Sequence, residues 1–346
     1  MATAFITGVA GPVLTADERA FLRDTDPWGL ILFKRNIQSK QQVAALTADF
    51  RSLVGRADTP ILVDQEGGRV QRLGPPDWPS YPAGAAYGAL YEIDPEQGLA
   101  AAHLGARLIA ADLHALGITV DCLPLADVPV AGSHDVIGDR AYGRDPVKVS
   151  RIARAISEGL ADGGVLPVLK HLPGHGRAGA DSHERLPIVD ASREALESTD
   201  FAAFRALADL SLGMTAHVVY TAIDDREPAT TSTLVITNVI RGWIGFDGAL
   251  MSDDLSMQAL AGTMRERAAA SLRAGCDLLL HCNGKMDEMQ DVAREAPSLS
   301  GEAARRTKAA LSRQNNPQPI DLAGARRVFS TMMAGVRGPG DSVLIA

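Results

Sequence analysis

Eight short apolar runs recur along the chain, and each hands over to an amphipathic stretch. The runs are Phe5–Val9, Gly29–Lys34, Ile61–Asp64, Thr119–Leu125, Val165–Lys170, Leu212–His217, Ala249–Asp253 and Asp277–His281. The segments between them carry helix signals. Ser39 with Gln42 has the form of a capping box ahead of Val43, Leu46, Phe50 and Leu53 at helical spacing. Asp145 precedes Pro146 at a first helical position, followed by a stripe of Val149, Ile152, Ile156 and Leu160. A third helix is expected from about Ser256 to Gly275, with the glycine just past its end. Strands alternating with helices predict a mostly parallel sheet clothed by helices, and eight such units predict a closed α/β barrel of the (β/α)8, TIM-barrel-like kind. An open doubly wound sheet is the alternative that periodicity leaves standing. No low-complexity segment or Pro/Gly/Ser-rich linker divides the chain, so residues 1–346 are expected to form one domain. The stretch from about Gln314 to Ala346, with Pro317, Pro319 and Pro339, is expected to wrap the barrel with one more helix.

A chain of roughly 300 residues buries about three-quarters of the surface its unfolded form exposes, so the core needs neither disulfide nor metal. The 34 Lys and Arg against 42 Asp and Glu give a net charge of −8, and no basic run tracks phosphates. Nucleic acid and anionic membrane surfaces are therefore not expected as partners. Cys122, Cys276 and Cys282 are few, odd in number and without metal-ligand spacing, which fits a reducing compartment. The opening MATAFITGVAGPVL lacks a basic segment, and Gly8, Gly11 and Pro12 break its apolar stretch, so it reads poorly as a signal peptide. No run approaches the ~20 apolar residues of a spanning helix. The expectation is a soluble cytoplasmic monomer.

Chemistry gathers where the strands end. In order come Asp64–Gln65–Glu66, Asp127, Lys170–His171, His217, Asp253–Asp254 and His281. In a parallel barrel the loops after the strands build the active site, so these residues are expected to converge from distant parts of the chain. The densest segment runs from Lys170 through His171, Pro173, Gly174, His175 and Gly176 to Asp181–Ser182–His183. Its proline and glycines exclude a continuous helix, so it is a loop leaving a strand. Asp181 and His183 flank one residue, and a carboxylate so placed can orient an imidazole for general acid/base work. Alone, that spacing fits equally an aspartate that caps the loop beside a surface histidine. The run Ala249–Asp254 is an apolar strand entering two acids; Asp254 is expected to cap the following helix, leaving Asp253 to point into the barrel mouth. In Asp64 to Arg72, two acids and two arginines surround Gly67–Gly68, a pair that permits a tight backbone or a close approach to ligand. Carboxylate and guanidinium there suit charged hydrogen bonds to sugar hydroxyls, or equally an internal ion pair.

At these residues the chain closely resembles the bacterial single-domain β-N-acetylglucosaminidases of glycoside hydrolase family 3, the NagZ type. The resemblance covers nearly the whole chain: VDQEGGRVQR, IGDRAYGRDP, KHLPGHG, DSHERLP, MTAHVVY, MSDDLSM and AGCDLLLHCN stand in family order. It implies a nucleophile at Asp253, an acid/base at His183 with Asp181 as its partner, and a sugar site formed by Asp64, Arg72, Arg140, Lys170 and His171. It also implies a retaining exo-hydrolase that removes GlcNAc from 1,6-anhydro-muropeptides, with or without peptide, during cell-wall recycling, and that uses no cofactor or metal. Two-domain relatives acting on plant-type glucosides draw their acid/base from a second domain, whereas this chain has the Asp-x-His loop. Two departures fall on that loop: Leu172 stands where many relatives have Phe, and Gly176–Arg177–Ala178 where they often have Gly-Asp-Thr. The histidines make a metal-dependent barrel hydrolase the rival enzyme. His171 and His175 are four apart, but Pro173 and Gly174 oppose the helix that would pair them as ligands. A catalytically silent sugar-binding protein would be expected to lack the nucleophile, acid or base, and all are present.

Overall fold

The computed structural model describes residues 2–336. Eight strands close into a barrel: β1 (Thr3–Thr7), β2 (Pro27–Leu32), β3 (Ile61–Val63), β4 (Val120–Asp121), β5 (Leu166–Leu172), β6 (Leu212–Thr215), β7 (Ala249–Asp254) and β8 (Leu278–His281). Each pairs in parallel with its neighbours in sequence, and β8 returns to β1. Closure removes the open-sheet alternative. All eight runs expected as strands are present, and β4 is the shortest. Beyond Asp121 the chain still follows β5, with Leu123 and Pro124 accepting from Val168 and Lys170, but Pro124 has no N–H to return and the regular ladder stops.

The register sorts the side chains into two layers. Ile31 lies opposite Leu62, Leu62 opposite Val120 and Val120 opposite Leu166. These residues join Ile6, Met214, Met251 and Leu280 in one buried cluster, the barrel interior. The alternate residues Leu30, Leu32, Ile61 and Val63 pack outward on the helices. The helix Lys40–Val54 presents Val43, Leu46 and Phe50 to that outer layer, and the helix Pro146–Asp162 presents Val149, Ile152, Ile156 and Leu160, as their spacing predicts. Asp145 caps the latter through the N–H of Val147, with Pro146 at its first position. At the start of the former, Ser39 accepts from the Gln42 N–H, but the Gln42 side chain accepts from Gln38 and reaches back to Pro12 and Asn36. The cap is present without the reciprocal half of a box.

The helix expected from Ser256 begins instead at Met264 and ends at Ala274, with Gly275 in the left-handed region. A full capping box formed by Thr263 and Glu266 sets its start, directly after Gly262 at φ +86. Asp254 is therefore no helix cap. Its carboxylate accepts from the N–H and hydroxyl of Ser256 and from the N–H of Cys282, which ties β7 to the end of β8. The additional C-terminal helix is present at Leu322–Met333. Its Phe329 meets the rings of Tyr81 and Tyr87, and Arg326 donates to Asp112 on the helix Pro95–His114. Pro339 lies outside the described residues.

Candidate active site

A cavity opens at the carboxyl ends of the strands, and its wall collects residues from β2, β5, β6, β7 and β8 and from the segments that follow β3, β4, β5 and β7. Asp64, Arg72, Arg140, Lys170, His171, His183 and Asp253 all line it. Asp181 reaches it through His183, whose Nδ1 is 2.8 Å from Asp181 Oδ1. Of the strand ends expected to converge, those at Asp64–Glu66, Lys170–His171 and Asp253–Asp254 line the cavity, while Asp127, His217 and His281 do not.

The floor is an ion-paired cluster. Lys170, on β5 and 2% exposed, donates to Asp64 Oδ1 at 3.0 Å and lies 2.6 Å from Glu66 Oε1. Arg72 donates to the other oxygen of Asp64 at 2.9 Å. Arg140 grips Glu66 with two parallel bonds of 2.8 and 2.9 Å, the bidentate geometry in which a guanidinium binds a carboxylate most strongly. Local folding explains how these groups meet. After Asp64 the chain makes a tight antiparallel turn, Gln65–Gly67 against Val70–Gln71, with Gly67 and Gly68 both at positive φ. A side chain at Gly67 would strike the Pro82 carbonyl, so the glycines serve packing of the hairpin against 81–83 and not approach to a ligand. The buried Gln65 amide accepts from the N–H groups of Arg72 and Leu73 and sets the hairpin's return. Arg69 donates to the carbonyls of Asp135 and Val136, binding the hairpin to the segment that carries Arg140.

Pairing controls the charge states. Burial would raise the Asp64 carboxyl, but Lys170 and Arg72 outweigh it and hold the group well below its usual range. Glu66 is likewise drawn down to about 2 against the effect of burial, by Arg140 and Lys170. Burial opposes the charge on Lys170, yet Glu66 and Asp64 keep its ammonium protonated to above the ordinary lysine value. The charges of the Asp64–Arg72 motif thus form internal ion pairs, and those pairs face the cavity.

His171 sits beside this cluster with Nδ1 2.7 Å from Asp127 Oδ2. Asp127, fully buried, also accepts the His175 N–H at 2.6 Å. Its carboxyl is lowered to about 2 because His171 and His175 overcome the burial that would raise it. On β7, Asp253 is half-buried at the end of an apolar strand. Its Oδ1 accepts from the Asp254 N–H at 2.8 Å, and among the described residues Oδ2 has no partner. Burial would raise this carboxyl, but the neighbouring His217 and His171 hold it below its usual value, as an anion. His217 lies behind it, with Nε2 donating to the Asp254 carbonyl at 3.0 Å. His183 stands at the rim, its side chain 68% exposed. His281 is not in the cavity wall; it is buried beside Glu288. No three His, Cys, Asp or Glu side chains among the described residues come together as a metal site.

Residues 9–313 match the model of the glycosyl hydrolase family 3 N-terminal domain. The chain belongs to glycoside hydrolase family 3. Within that family it is 44% identical to a β-hexosaminidase from Methylococcus capsulatus over 80% of this chain and 81% of the relative. The crystal structure of native NagZ from Neisseria gonorrhoeae superposes with a TM-score of 0.84 at 34% identity, covering 97% of both chains. The same Neisseria enzyme in complex with N-trifluoroacetyl-D-glucosamine matches with a TM-score of 0.84 at 33% identity over 97% of each chain. The resemblance drawn from the motifs is borne out, and this family 3 member is a bacterial NagZ-type glycoside hydrolase with the barrel that its alternating strands and helices predict. Three residues not singled out for the site belong to its surroundings: Glu66 and His175 line the cavity, and Asp127 stands behind His171 and His175. Glu66 and Asp127 carried the strand-end signal, and His175 the density of the loop, but only coordinates reveal which neighbours they grip.

Proposed function

We propose that the chain is a retaining exo-acting β-N-acetylglucosaminidase, working as one catalytic domain with Asp253 as nucleophile and His183, partnered by Asp181, as acid/base. It is a glycoside hydrolase of the β-N-acetylhexosaminidase type. The observation that carries the reading is the placement of Asp253 and His183 on one cavity, the first an anion at its base and the second at its rim. Retaining hydrolysis needs a nucleophile below the anomeric carbon and a proton donor beside the leaving oxygen; an imidazole here takes the place of the usual second carboxyl group. In the first displacement Asp253 Oδ2 bonds to C1 as the glycosidic bond breaks, and His183 gives its proton to the departing oxygen. In the second, His183 takes a proton from water, the water oxygen bonds to C1, and Asp253 leaves as the carboxylate. The rim position would let His183 close in after the sugar binds.

Asp64, Arg72, Arg140, Lys170 and His171 are assigned to the sugar in the cavity. Together with Glu66 they place two carboxylates against three cations, and every one of these charges is paired, which suits the hydroxyls of a neutral sugar better than a strongly ionic ligand. The Neisseria relative's complex with an N-acylated glucosamine supports an N-acetylglucosaminyl group as that sugar. The natural substrate under this reading is GlcNAc β-1,4-linked to 1,6-anhydro-N-acetylmuramic acid, with or without peptide, cleaved by a cytoplasmic monomer in peptidoglycan recycling. A 2-fluoro or 5-fluoro GlcNAc donor should trap the glycosyl-enzyme, with the label on Asp253 by mass spectrometry. A label on any other residue removes the nucleophile assignment.

A further inference from the structure

The loop that carries His183 is fastened unevenly. Its first part is fixed to the barrel: Tyr220 donates to the Gly174 carbonyl, and Gly176 lies so close to Val128 that a side chain there would overlap its backbone. Arg177 pairs with Asp200 and Thr199, so the departure from the family pattern at 176–178 supplies an anchor. Its end is fixed where the Pro187 carbonyl accepts from Val219. Between these points, residues 179–186 make two hydrogen bonds to the rest of the protein among the described residues, and both belong to Ser182. The Ser182 carbonyl accepts from the Ala259 N–H at 3.2 Å, and its hydroxyl lies 3.2 Å from His175 Nε2.

Ser182 is 3% exposed, although its neighbours Asp181 and His183 are half-buried and exposed. His175 is buried with Nδ1 unpartnered among the described residues. A buried N–H without a partner costs more than a bare lone pair, so the proton belongs on Nε2, which donates to the Ser182 hydroxyl. Burial, with His171 nearby, lowers this imidazole to about 4, so near neutral pH Nδ1 carries no proton and needs no acceptor. Behind it, Asp127 holds the His175 backbone with one oxygen and the His171 ring with the other. One carboxylate thus supports both a wall of the sugar pocket and the donor that pins the loop.

We propose that His175 and Ser182 form the latch that seats the acid/base pair, fixing the one residue between Asp181 and His183 to the same Asp127 that orients His171. Both are positioning residues for His183, and the inference rests on the acid/base role proposed above. Ser182→Ala, His183→Ala and the double variant are assayed on an activated dinitrophenyl β-GlcNAc and on chitobiose, whose sugar leaving group needs protonation. Ser182→Ala should lose about tenfold in kcat/KM on chitobiose, the effect of one buried hydrogen bond, with the aryl substrate almost unchanged. Added to His183→Ala, it should cost nothing further, because a positioning residue has no effect once its target is gone. Equal losses on both substrates, no loss on either, or a full additional loss in the double variant overturns the latch. If His183→Ala itself shows no preference between leaving groups, the acid/base assignment falls and takes the latch with it, a result distinguishable because the single Ser182 variant is not needed to see it.

Discussion

The floor and the rim of the cavity are built by opposite rules. The floor groups Lys170, Glu66 and Asp64 are buried or nearly so, and each is held by two oppositely charged partners. At the rim, His183 is mostly exposed and depends on Asp181 and a loop tip tethered through one serine. Preorganised charge at the floor costs no reorganisation when a sugar arrives. A proton donor that must let substrate in and product out cannot be fixed in that way, and a lightly held loop meets the need. Under the proposed roles, affinity and protonation fall to regions of different rigidity, which substitutions should separate.

The largest effect is expected where the two regions meet, at Asp253. Asp253→Ala should lower kcat by on the order of 10⁴-fold or more, the scale of removing a covalent nucleophile, without loss of folding measured by circular dichroism. A variant that keeps near-normal turnover would show that the floor's anion is not the reacting group. His183→Ala comes next. It should cost about 10²- to 10⁴-fold on sugar leaving groups and far less on activated aryl ones, with an unchanged melting temperature. Losses of equal size on both substrates would erase the functional distinction between rim and floor.

A floor substitution should behave differently. Lys170→Met removes the cation shared by Asp64 and Glu66 and leaves two carboxylates facing each other beneath the cavity. Breaking a buried pair from one side typically costs about 3–5 kcal/mol, so both the urea midpoint and KM should suffer, on good and poor leaving groups alike. An unaltered midpoint would mean that the cluster is solvated enough to relax, and that the floor is not rigid after all.

How much of this could be read from residues alone follows the same division. The strands were legible because a run such as Ala249–Met251 or Leu278–Leu280 is apolar on both faces, and the barrel followed from counting such runs. Asp253 was legible as a candidate because it ends an apolar strand, whereas Lys170 stood out at a strand end but was assigned to the sugar only through the family resemblance. What failed depended on side chains choosing between neighbours. Ser256 looked like a helix start, yet its hydroxyl turns back to Asp254, and the helix waits for Thr263 and Glu266. Asp64 and Glu66 are two residues apart and chemically alike, and nothing in their spacing says that Arg72 takes one while Arg140 takes the other. Gly67 was legible as a special backbone position, but what it avoids is the Pro82 carbonyl, which is contributed by a separate turn.

The smallest expected effect tests the joint between floor and rim through acid stability. Burial lowers His175 to about 4 in the folded chain, whereas an unfolded imidazole takes up its proton at about 6.5. Between those values the unfolded state binds more protons, so stability should rise with pH across the window and fall as pH drops through it. The paired carboxylates act lower: Glu66 and Asp127, each drawn to about 2, contribute stability above the ordinary carboxylate range that is lost only as pH falls toward 2. Urea midpoints against pH should therefore decline in two stages, a shallow one through the histidine window and a steep one below about 4. His217, His281 and His114, also lowered by burial, share the first stage. His175→Gln should accordingly shrink that stage by about 1–3 kcal/mol without removing it and leave the steep stage in place. If the first stage is unchanged in that variant, His175 is not held neutral by its buried position, and the joint is wetter and looser than the floor on which it rests.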